Sequence, residues 1–162
     1  MTDIVTCDIV DAHKAAGRIQ SCATQFVQFG GHAAFAGPIR TIKCHEDNAL
    51  IKKTLATPGN GAVLVVDGGG SLRSALVGDV IAGLAVTNGW AGLIVHGAVR
   101  DSAALKTLPL GLKALGTNPW TSSKDGAGAL DVMVRFGDAT FTPGGWVYSD
   151  ADGVIVADGK LS

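Results

Sequence analysis

Three polar residues in the middle of the chain, Asp79, Arg100 and Asp101, have the side chains needed to handle a small acidic substrate. A carboxylate such as that of Asp101 can hold a hard divalent cation. The planar guanidinium of Arg100 can bind a carboxylate or a ketone oxygen through parallel hydrogen bonds. Together these groups suit the binding and polarisation of a small keto acid.

The elements around these residues predict that they meet in space. Gly78 and Asp79 precede an apolar pattern over 80–86 that is typical of a helix, and the apolar run 92–99 predicts a buried strand that ends at 100–101. In a strand, helix, strand unit, the start of the helix and the end of the second strand lie at the same edge of the sheet. We therefore expect one crevice to contain all of these groups.

The start of the predicted helix would also offer hydrogen-bond donors. The amides of Val80 and Ile81 have no partner within a helix, so they could bind a carboxylate beside Arg100. A plainer alternative is open at this point. Asp79 would then only cap the helix, and Arg100 and Asp101 would be solvated residues at the end of a strand.

The remaining pattern predicts a single mixed α/β domain over residues 1–162. The predicted helices cover 6–16, with Thr6 as the N-cap, 48–55 and 72–76. The predicted strands cover 38–44, 62–66, 132–136, 139–141, 146–148 and 154–156. Helices thus dominate the first part of the chain and strands the last.

Composition excludes several classes of protein. Of the 162 residues, 47% are hydrophobic and the formal net charge is −1, so we expect a folded domain without a nucleic-acid surface. No apolar run approaches the roughly 18 residues of a membrane span, and the first residues do not resemble a signal peptide, which predicts a cytoplasmic protein. The three cysteines, Cys7, Cys22 and Cys44, are expected to be reduced.

Other residues that could bind a ligand or a metal are weaker candidates for a functional site. The run Asp67-Gly68-Gly69-Gly70-Ser71 is either a structural turn or an anion-binding turn before a helix, and it lacks the spacing of nucleotide or methyl-donor loops. The histidines show no metal-binding spacing, and His96 is expected to be a hydrogen-bonded residue of the core. No nucleotide or methyl-donor cofactor is therefore predicted.

Two long segments, 63–79 and 88–101, closely resemble the RraA-like family. Shorter similar segments are 35–43, 46–50, 111–119 and 148–156. The family includes regulators of ribonuclease activity A and metal-dependent 4-hydroxy-4-methyl-2-oxoglutarate aldolases. The aldolases share an aspartate, then twenty residues, then Arg-Asp, and Asp79, Arg100 and Asp101 match this signature.

The resemblance implies a fold and an activity. The fold would be a layered β/β/α, swivelling-domain-like domain with a mixed sheet, assembled as a homotrimer or a dimer of trimers. The activity would be the cleavage of 4-hydroxy-4-methyl-2-oxoglutarate to pyruvate, with decarboxylation of oxaloacetate as a side reaction. Both reactions pass through the enolate of pyruvate.

The resemblance also assigns roles to residues. By similarity, Asp101 would hold Mg²⁺ or Mn²⁺ directly. Ordinary metal chemistry then predicts that Arg100 stabilises the enolate and that a metal-bound water oriented by Asp79 takes the proton of the 4-hydroxyl. The keto acid would be bound by Gly78, Asp79, Val80, Ile81 and Arg100. The longer aldolases have further C-terminal sequence that supplies an acid to a neighbouring subunit, whereas this sequence ends at Ser162, so we expect modest turnover.

A second function is compatible with the same resemblance. Family members that restrain an endoribonuclease act by protein contact, so the chain could be a non-catalytic regulator of a ribonuclease. The acid at Asp101 favours the enzyme, because members without it lose the direct metal ligand. A third name used for such proteins, menaquinone-pathway methyltransferase, is disfavoured because no methyl-donor loop is visible.

Overall fold

Twelve strands are present in the computed structural model, which describes residues 3–162, and ten of them form one mixed sheet. The strands are β1 (Ile19–Cys22), β2 (Val27–Gln28), β3 (Phe35–Lys43), β4 (Val63–Asp67), β5 (Ala75–Val77), β6 (Gly92–Val99), β7 (Gly111–Thr117), β8 (Ala129–Leu130), β9 (Val134–Phe136), β10 (Ala139–Phe141), β11 (Trp146–Asp150) and β12 (Gly153–Ala157). Their order in the large sheet is β1-β12-β11-β3-β4-β6-β7-β2, with β5 on β6 and β8 on β3, and β9 pairs with β10 separately.

Four helices complete the described part of the chain. They are α1 (Thr6–His13), α2 (Ala49–Leu55), α3 (Asp79–Thr87) and α4 (Ser102–Leu105), and a 3-10 turn at Lys14–Ala16 follows α1. Gly17 ends that turn in the left-handed conformation, as expected of a glycine after a helix. None of these helices is long and apolar enough to cross a membrane.

The strands β3, β4, β6 and β7 run parallel to one another in the centre of the sheet. The sequences of β4 and β6 are nearly continuous apolar runs, which is typical of parallel strands covered on both faces. The chain crosses from β4 to β6 through α3, so the predicted strand, helix, strand unit is present. This unit places the start of α3 and the end of β6 at one edge.

Strand β3 connects two parts of the large sheet. Its first half pairs antiparallel with β11, and its second half pairs parallel with β4. The strand is longer than the predicted 38–44, because Phe35 to Pro38 find partners in β11. Gly37 therefore lies inside the strand rather than before it, and the strand ends at Lys43 instead of at residue 44.

The central strands separate two apolar cores. On one face they pack against α2, α3 and α4, with Ile51, Leu55 and Ala85 fully buried there. On the other face they pack against β1, β9, β10, β11 and β12, around Phe141. A helical layer, a central sheet layer and a second β layer result, which confirms the predicted β/β/α fold class.

The predicted helix over 72–76 is wrong. Gly69 and Gly70 adopt positive φ angles, and the segment continues as an extended chain whose residues Ala75–Val77 pair with β6. Five residues at helical spacing are too few to form a stable helix alone, and the hydrogen bonds of the sheet decide the outcome. The helix of this unit is α3 alone.

Smaller corrections concern the ends of elements. The N-cap of α1 is Val5 rather than Thr6, because the amide and hydroxyl of Thr6 both bind the carboxylate of Asp150. Strands β1, β2, β7 and β8 and helix α4 were not predicted. Strand β7 was missed because Gly111, Lys113 and Gly116 interrupt its apolar pattern.

A close contact between strands fixes the sheet at its centre. Phe35 lies across the neighbouring residues Gly92 and Gly111, and a Cβ atom on Gly111 would come within 2.1 Å of the Phe35 ring. The clash would involve a ring that is itself buried. Position 111 therefore requires glycine.

We expect Gly111→Ala to lower the free energy of unfolding by about 1–3 kcal/mol, since overpacking forces buried groups apart. The control is Gly83→Ala, because a Cβ at Gly83 in α3 meets no heavy atom within 4 Å. That change should be neutral or stabilise by up to about 1 kcal/mol. Urea unfolding measures both, and an unchanged midpoint for Gly111→Ala would contradict the packing described.

Candidate functional site

The start of α3 is open to a ligand. Gly78 is the N-cap residue, and the first hydrogen bond of the helix runs from the amide of Ala82 to the carbonyl of Gly78, at 3.0 Å. The amide of Asp79 donates instead to Oδ2 of Asp101, at 3.1 Å. No described residue accepts from the amides of Val80 or Ile81, so two N–H groups remain available, as predicted.

The end of β6 delivers Arg100 and Asp101 to the same place. The amide of Arg100 donates to the carbonyl of Val77 at 2.9 Å, which ties β6 to the residue before Gly78. Asp101 has a φ of 58°, in the left-handed region, and its side chain does not cap α4, which follows it. The carboxylate binds the start of α3 instead, so Asp101 and not Asp79 caps that helix.

Gly78 permits this contact. A Cβ atom at position 78 would lie 2.7 Å from Oδ2 of Asp101 and 3.3 Å from Cγ of Arg100. The backbone of Gly78 is extended, so the requirement for glycine comes from space and not from its φ angle. Any larger residue would push the carboxylate away from the helix.

Arg100 lies at the rim of the site with its side chain 43% exposed. Its Nη1 donates to the carbonyl of Pro119 at 3.3 Å, and its Nε is 3.9 Å from Oδ2 of Asp101. A guanidinium has five N–H donors, so most of those of Arg100 are left for a ligand.

These residues line a cleft of about 600 Å³ between α2 and α3. The structure brings together all six residues predicted from the sequence, namely Gly78, Asp79, Val80, Ile81, Arg100 and Asp101. Five further polar residues line the cleft and were not predicted from the sequence: Asn48, Lys52, Lys53, Thr121 and Lys124. Helical spacing places Lys52 and Lys53 on one face of α2, but only the packing of α2 shows that this face meets the site.

The cleft is rich in positive charge. Arg100, Lys52, Lys53 and Lys124 line it, against the acids Asp79 and Asp101. A concave surface with an excess of cations concentrates anionic ligands. The charge and the free amides together favour a small molecule with more than one carboxylate.

The residues of the cleft fit a divalent cation that takes one protein carboxylate and otherwise binds water and substrate oxygens. No cluster of three or more metal-binding side chains occurs among residues 3–162. Oδ2 of Asp101 accepts a hydrogen bond from the amide of Asp79, whereas no described residue donates to Oδ1. Mg²⁺ is commonly held by one or two carboxylates, with water and substrate oxygens completing its shell, and Asp101 meets that requirement.

Asp47 fixes one wall of the cleft. Its buried carboxylate accepts hydrogen bonds from the amides of Ala49, at 3.1 Å, Asp125, at 2.8 Å, and Gly126, at 3.1 Å. Burial opposes ionisation, but the amide donors outweigh it and hold the pKa of Asp47 below its ordinary value. The carboxylate thereby holds the loop that carries Lys124 against the start of α2.

The glycine run after β4 is a structural turn. The amides of Gly68 and Gly70 donate to the carbonyl of His96, that of Gly69 to the carboxylate of Asp67, and that of Ser71 to the carbonyl of Gly68. These amides are used within the fold, so the turn has none to offer an anion. The anion-binding alternative is therefore not supported by the geometry.

His96 does not match its prediction fully. Its ring stacks on Phe136 with 4.5 Å between the ring centres, and its Nδ1 atom is buried without a partner in the described chain. Burial lowers the pKa of His96 more than the nearby Asp67 raises it. The residue is a half-buried stacked histidine rather than a hydrogen-bonded one.

Comparison with known proteins places the chain in a family. A family model described as RraA-like, Aldolase/RraA, matches residues 6–156. The chain belongs to the RraA-like family. The predicted family is therefore confirmed.

Solved structures of RraA-like proteins are similar over nearly the whole chain. A protein of Geobacillus kaustophilus HTA426, described as an S-adenosylmethionine:2-dimethylmenaquinone methyltransferase, is 46% identical, with a TM-score of 0.94 and coverage of 98% of this chain and 97% of that one. The RNA-processing inhibitor RraA from Thermus thermophilis is 42% identical, with a TM-score of 0.94 and coverage of 99% and 96%. RraAS2 of Streptomyces coelicolor is 27% identical, with a TM-score of 0.76 and coverage of 96% and 80%.

These RraA-like relatives are named as an enzyme in one case and as inhibitors in the others. Their names therefore support the family and the fold, and they do not select one activity. An assignment of activity has to come from the residues of the cleft.

We expect Asp47→Asn to lower the free energy of unfolding by about 1–2 kcal/mol near neutral pH, because a neutral amide binds backbone donors more weakly than a carboxylate does. The pKa of Asp47 is lower in the folded state than in the unfolded chain. Its contribution is therefore present above the ordinary aspartate pKa of about 3.9 and is lost as the pH falls through the lower folded value.

The measurement is urea unfolding of both proteins near neutral pH and in acid. The difference in the free energy of unfolding between the unaltered protein and Asp47→Asn should become smaller as the pH falls below about 4. Asp125→Asn, which changes an exposed side chain on the same loop, serves as the control. An equal difference in the free energy of unfolding at both pH values would contradict a role for the charge of Asp47.

Proposed function

We propose that this RraA-like protein is a divalent-metal-dependent carbon–carbon lyase that cleaves 4-hydroxy-4-methyl-2-oxoglutarate to pyruvate and decarboxylates oxaloacetate as a side reaction. The observation that carries the proposal is the Asp101 carboxylate, which is bound to the amide of Asp79 at the start of α3, where the next two amides are free, with Arg100 beside it in a cationic cleft. This arrangement combines a ligand for a hard cation with donors for a carboxylate and for an enolate oxygen.

Binding of the substrate is assigned to the start of α3. The amides of Val80 and Ile81 would bind the carboxylate of the keto acid, as a helix N-terminus favours an anion. Gly78 would let the substrate approach the backbone closely. Mg²⁺ or Mn²⁺ held by Asp101 would supply Lewis acidity to the keto oxygen.

Cleavage then follows from the charges of the remaining side chains. A water oriented by Asp79 takes the proton of the 4-hydroxyl, the bond between C3 and C4 breaks, and its electron pair forms the enolate of one pyruvate while C4 becomes the ketone of the other. The same water returns the proton to C3 of the enolate, which completes the first pyruvate. Arg100 stabilises the negative enolate oxygen. Loss of CO₂ from oxaloacetate leaves the same enolate, so one arrangement of side chains serves both reactions.

The homotrimer, or a dimer of trimers, is part of the same proposal. Val80 and Trp120 are 68% and 73% exposed, and Leu72 is 49% exposed. Trp120 and Leu72 lie close to Arg100 through the segment 116–120. Large apolar side chains exposed near a site are typical of a subunit contact.

A second candidate function is a regulator that binds a ribonuclease without catalysis. It is supported by the 42% identity with the Thermus thermophilis protein, which is named for the inhibition of RNA processing. The exposed Val80 and Trp120 would then contact the ribonuclease. This candidate makes no use of the carboxylate of Asp101.

The experiment measures pyruvate release from both substrates with Mg²⁺, with Mn²⁺ and with excess chelator. Asp101→Asn keeps an oxygen for the amide of Asp79 but removes the charge, so we expect metal-dependent turnover to be lost while the fold is retained. Arg100→Ala should lower kcat by about 10²–10³-fold, as removal of a donor to a developing oxyanion does. Asp8→Asn, an exposed acid on α1, should leave the rate unchanged.

Two results would contradict the lyase. Turnover by the unaltered protein that does not exceed a protein-free metal blank would favour the regulator. Turnover that survives Asp101→Asn would show that the reaction takes place at another site.

A further inference from the structure

One face of α2 lines the cleft with two cations. The residues at spacing i, i+3, i+4 and i+7 all border it, namely Ala49, Lys52, Lys53 and Ala56. Residues at these positions share one side of a helix. The opposite side of α2 is buried through Ile51 and Leu55 in the apolar core between the helices and the central sheet. The helix therefore cannot rotate to turn the lysines away.

Helices α2 and α3 run in the same direction along the cleft. At their starts, Nδ2 of Asn48 donates to the carbonyl of Leu76, at 3.2 Å. At their ends, Nδ2 of Asn88 donates to the carbonyl of Leu55, at 3.0 Å. Lys52 and Lys53 therefore lie away from the Asp101 end of the cleft, about 4.5–6 Å further along α2 than its first residue at a rise of about 1.5 Å per residue.

No acid of the described chain neutralises these lysines. Neither Lys52 nor Lys53 forms an ion pair or a side-chain hydrogen bond within residues 3–162, although the ion pairs of five other basic side chains are present. Beyond Asp79, the wall of α3 along the cleft is apolar and consists of Val80, Ile81 and Leu84. Two cations beside an apolar wall leave a place for an anionic group of a ligand.

We propose that Lys52 and Lys53 bind the distal carboxylate of a dicarboxylic 2-oxo acid and thereby select diacids over monoacids. The inference rests on the proposed function for the position of the keto acid, at Arg100, Asp101 and the amides of α3. Lys52 and Lys53 line the same cleft as Arg100 and Asp101 and lie about one helical turn along α2 from its first residue, so an acid bound at the α3 end could extend its far carboxylate towards them. A monoacid of the same length would place a methyl group beside the two ammonium groups.

The experiment compares two ligands of equal chain length by calorimetric titration in the presence of Mg²⁺. They are 2-oxoglutarate, which has a distal carboxylate, and 2-oxopentanoate, which has a methyl group there. The variants are Lys52→Met with Lys53→Met, which keep the length of the side chains without their charge, and Lys52→Arg with Lys53→Arg, which keep the charge. Lys14→Met, an exposed lysine after α1, controls for a general loss of positive charge.

We expect the unaltered protein to bind 2-oxoglutarate about tenfold more tightly than 2-oxopentanoate, because charge-assisted hydrogen bonds are strong. The methionine pair should weaken binding of 2-oxoglutarate about tenfold and leave 2-oxopentanoate unchanged, so that the preference disappears. The arginine pair and Lys14→Met should keep the preference.

Two outcomes would overturn the inference while the proposed function stands: a preference for the diacid that survives in the methionine pair, or an equal loss of affinity for both ligands. Binding of neither ligand by the unaltered protein would overturn the proposed function, and this inference with it.

Discussion

The hydrogen bond from the amide of Asp79 to Oδ2 of Asp101 is the contact on which the site depends. It joins the start of α3 to the end of β6 and fixes a carboxylate where two further amides are free. The contact exists only because position 78 is glycine, since a Cβ there would lie 2.7 Å from the same oxygen. The acid that caps the helix can thus bind a cation, while the free amides beside it can bind an anion.

Much of this edge could be predicted because it follows from topology. The apolar runs of β4 and β6 and the helical pattern of α3 define a strand, helix, strand unit, and such a unit places Gly78, Asp79, Arg100 and Asp101 together. The false helix over 72–76 shows the limit of periodicity, since two glycines with positive φ and pairing with β6 decide that segment. Strand β7 was missed because its glycines and its buried Lys113 hide the apolar pattern.

The other wall of the cleft could not be predicted, because it depends on contacts between distant segments. Lys52 and Lys53 reach the site only through the packing of α2 beside α3, which Asn48 and Asn88 fix at the two ends. Lys124 reaches it because the buried Asp47 holds its loop by the backbone amides. No local pattern at position 47 distinguishes this carboxylate from a solvated one.

The most direct test of the account is a crystal structure of the protein with Mn²⁺ and oxalate, an unreactive analogue of the pyruvate enolate, using the anomalous scattering of manganese. The account predicts one manganese peak beside the carboxylate of Asp101, with oxalate between the amides of Val80 and Ile81 and the guanidinium of Arg100. A cleft without manganese at Asp101, in crystals that bind it elsewhere, would contradict the account.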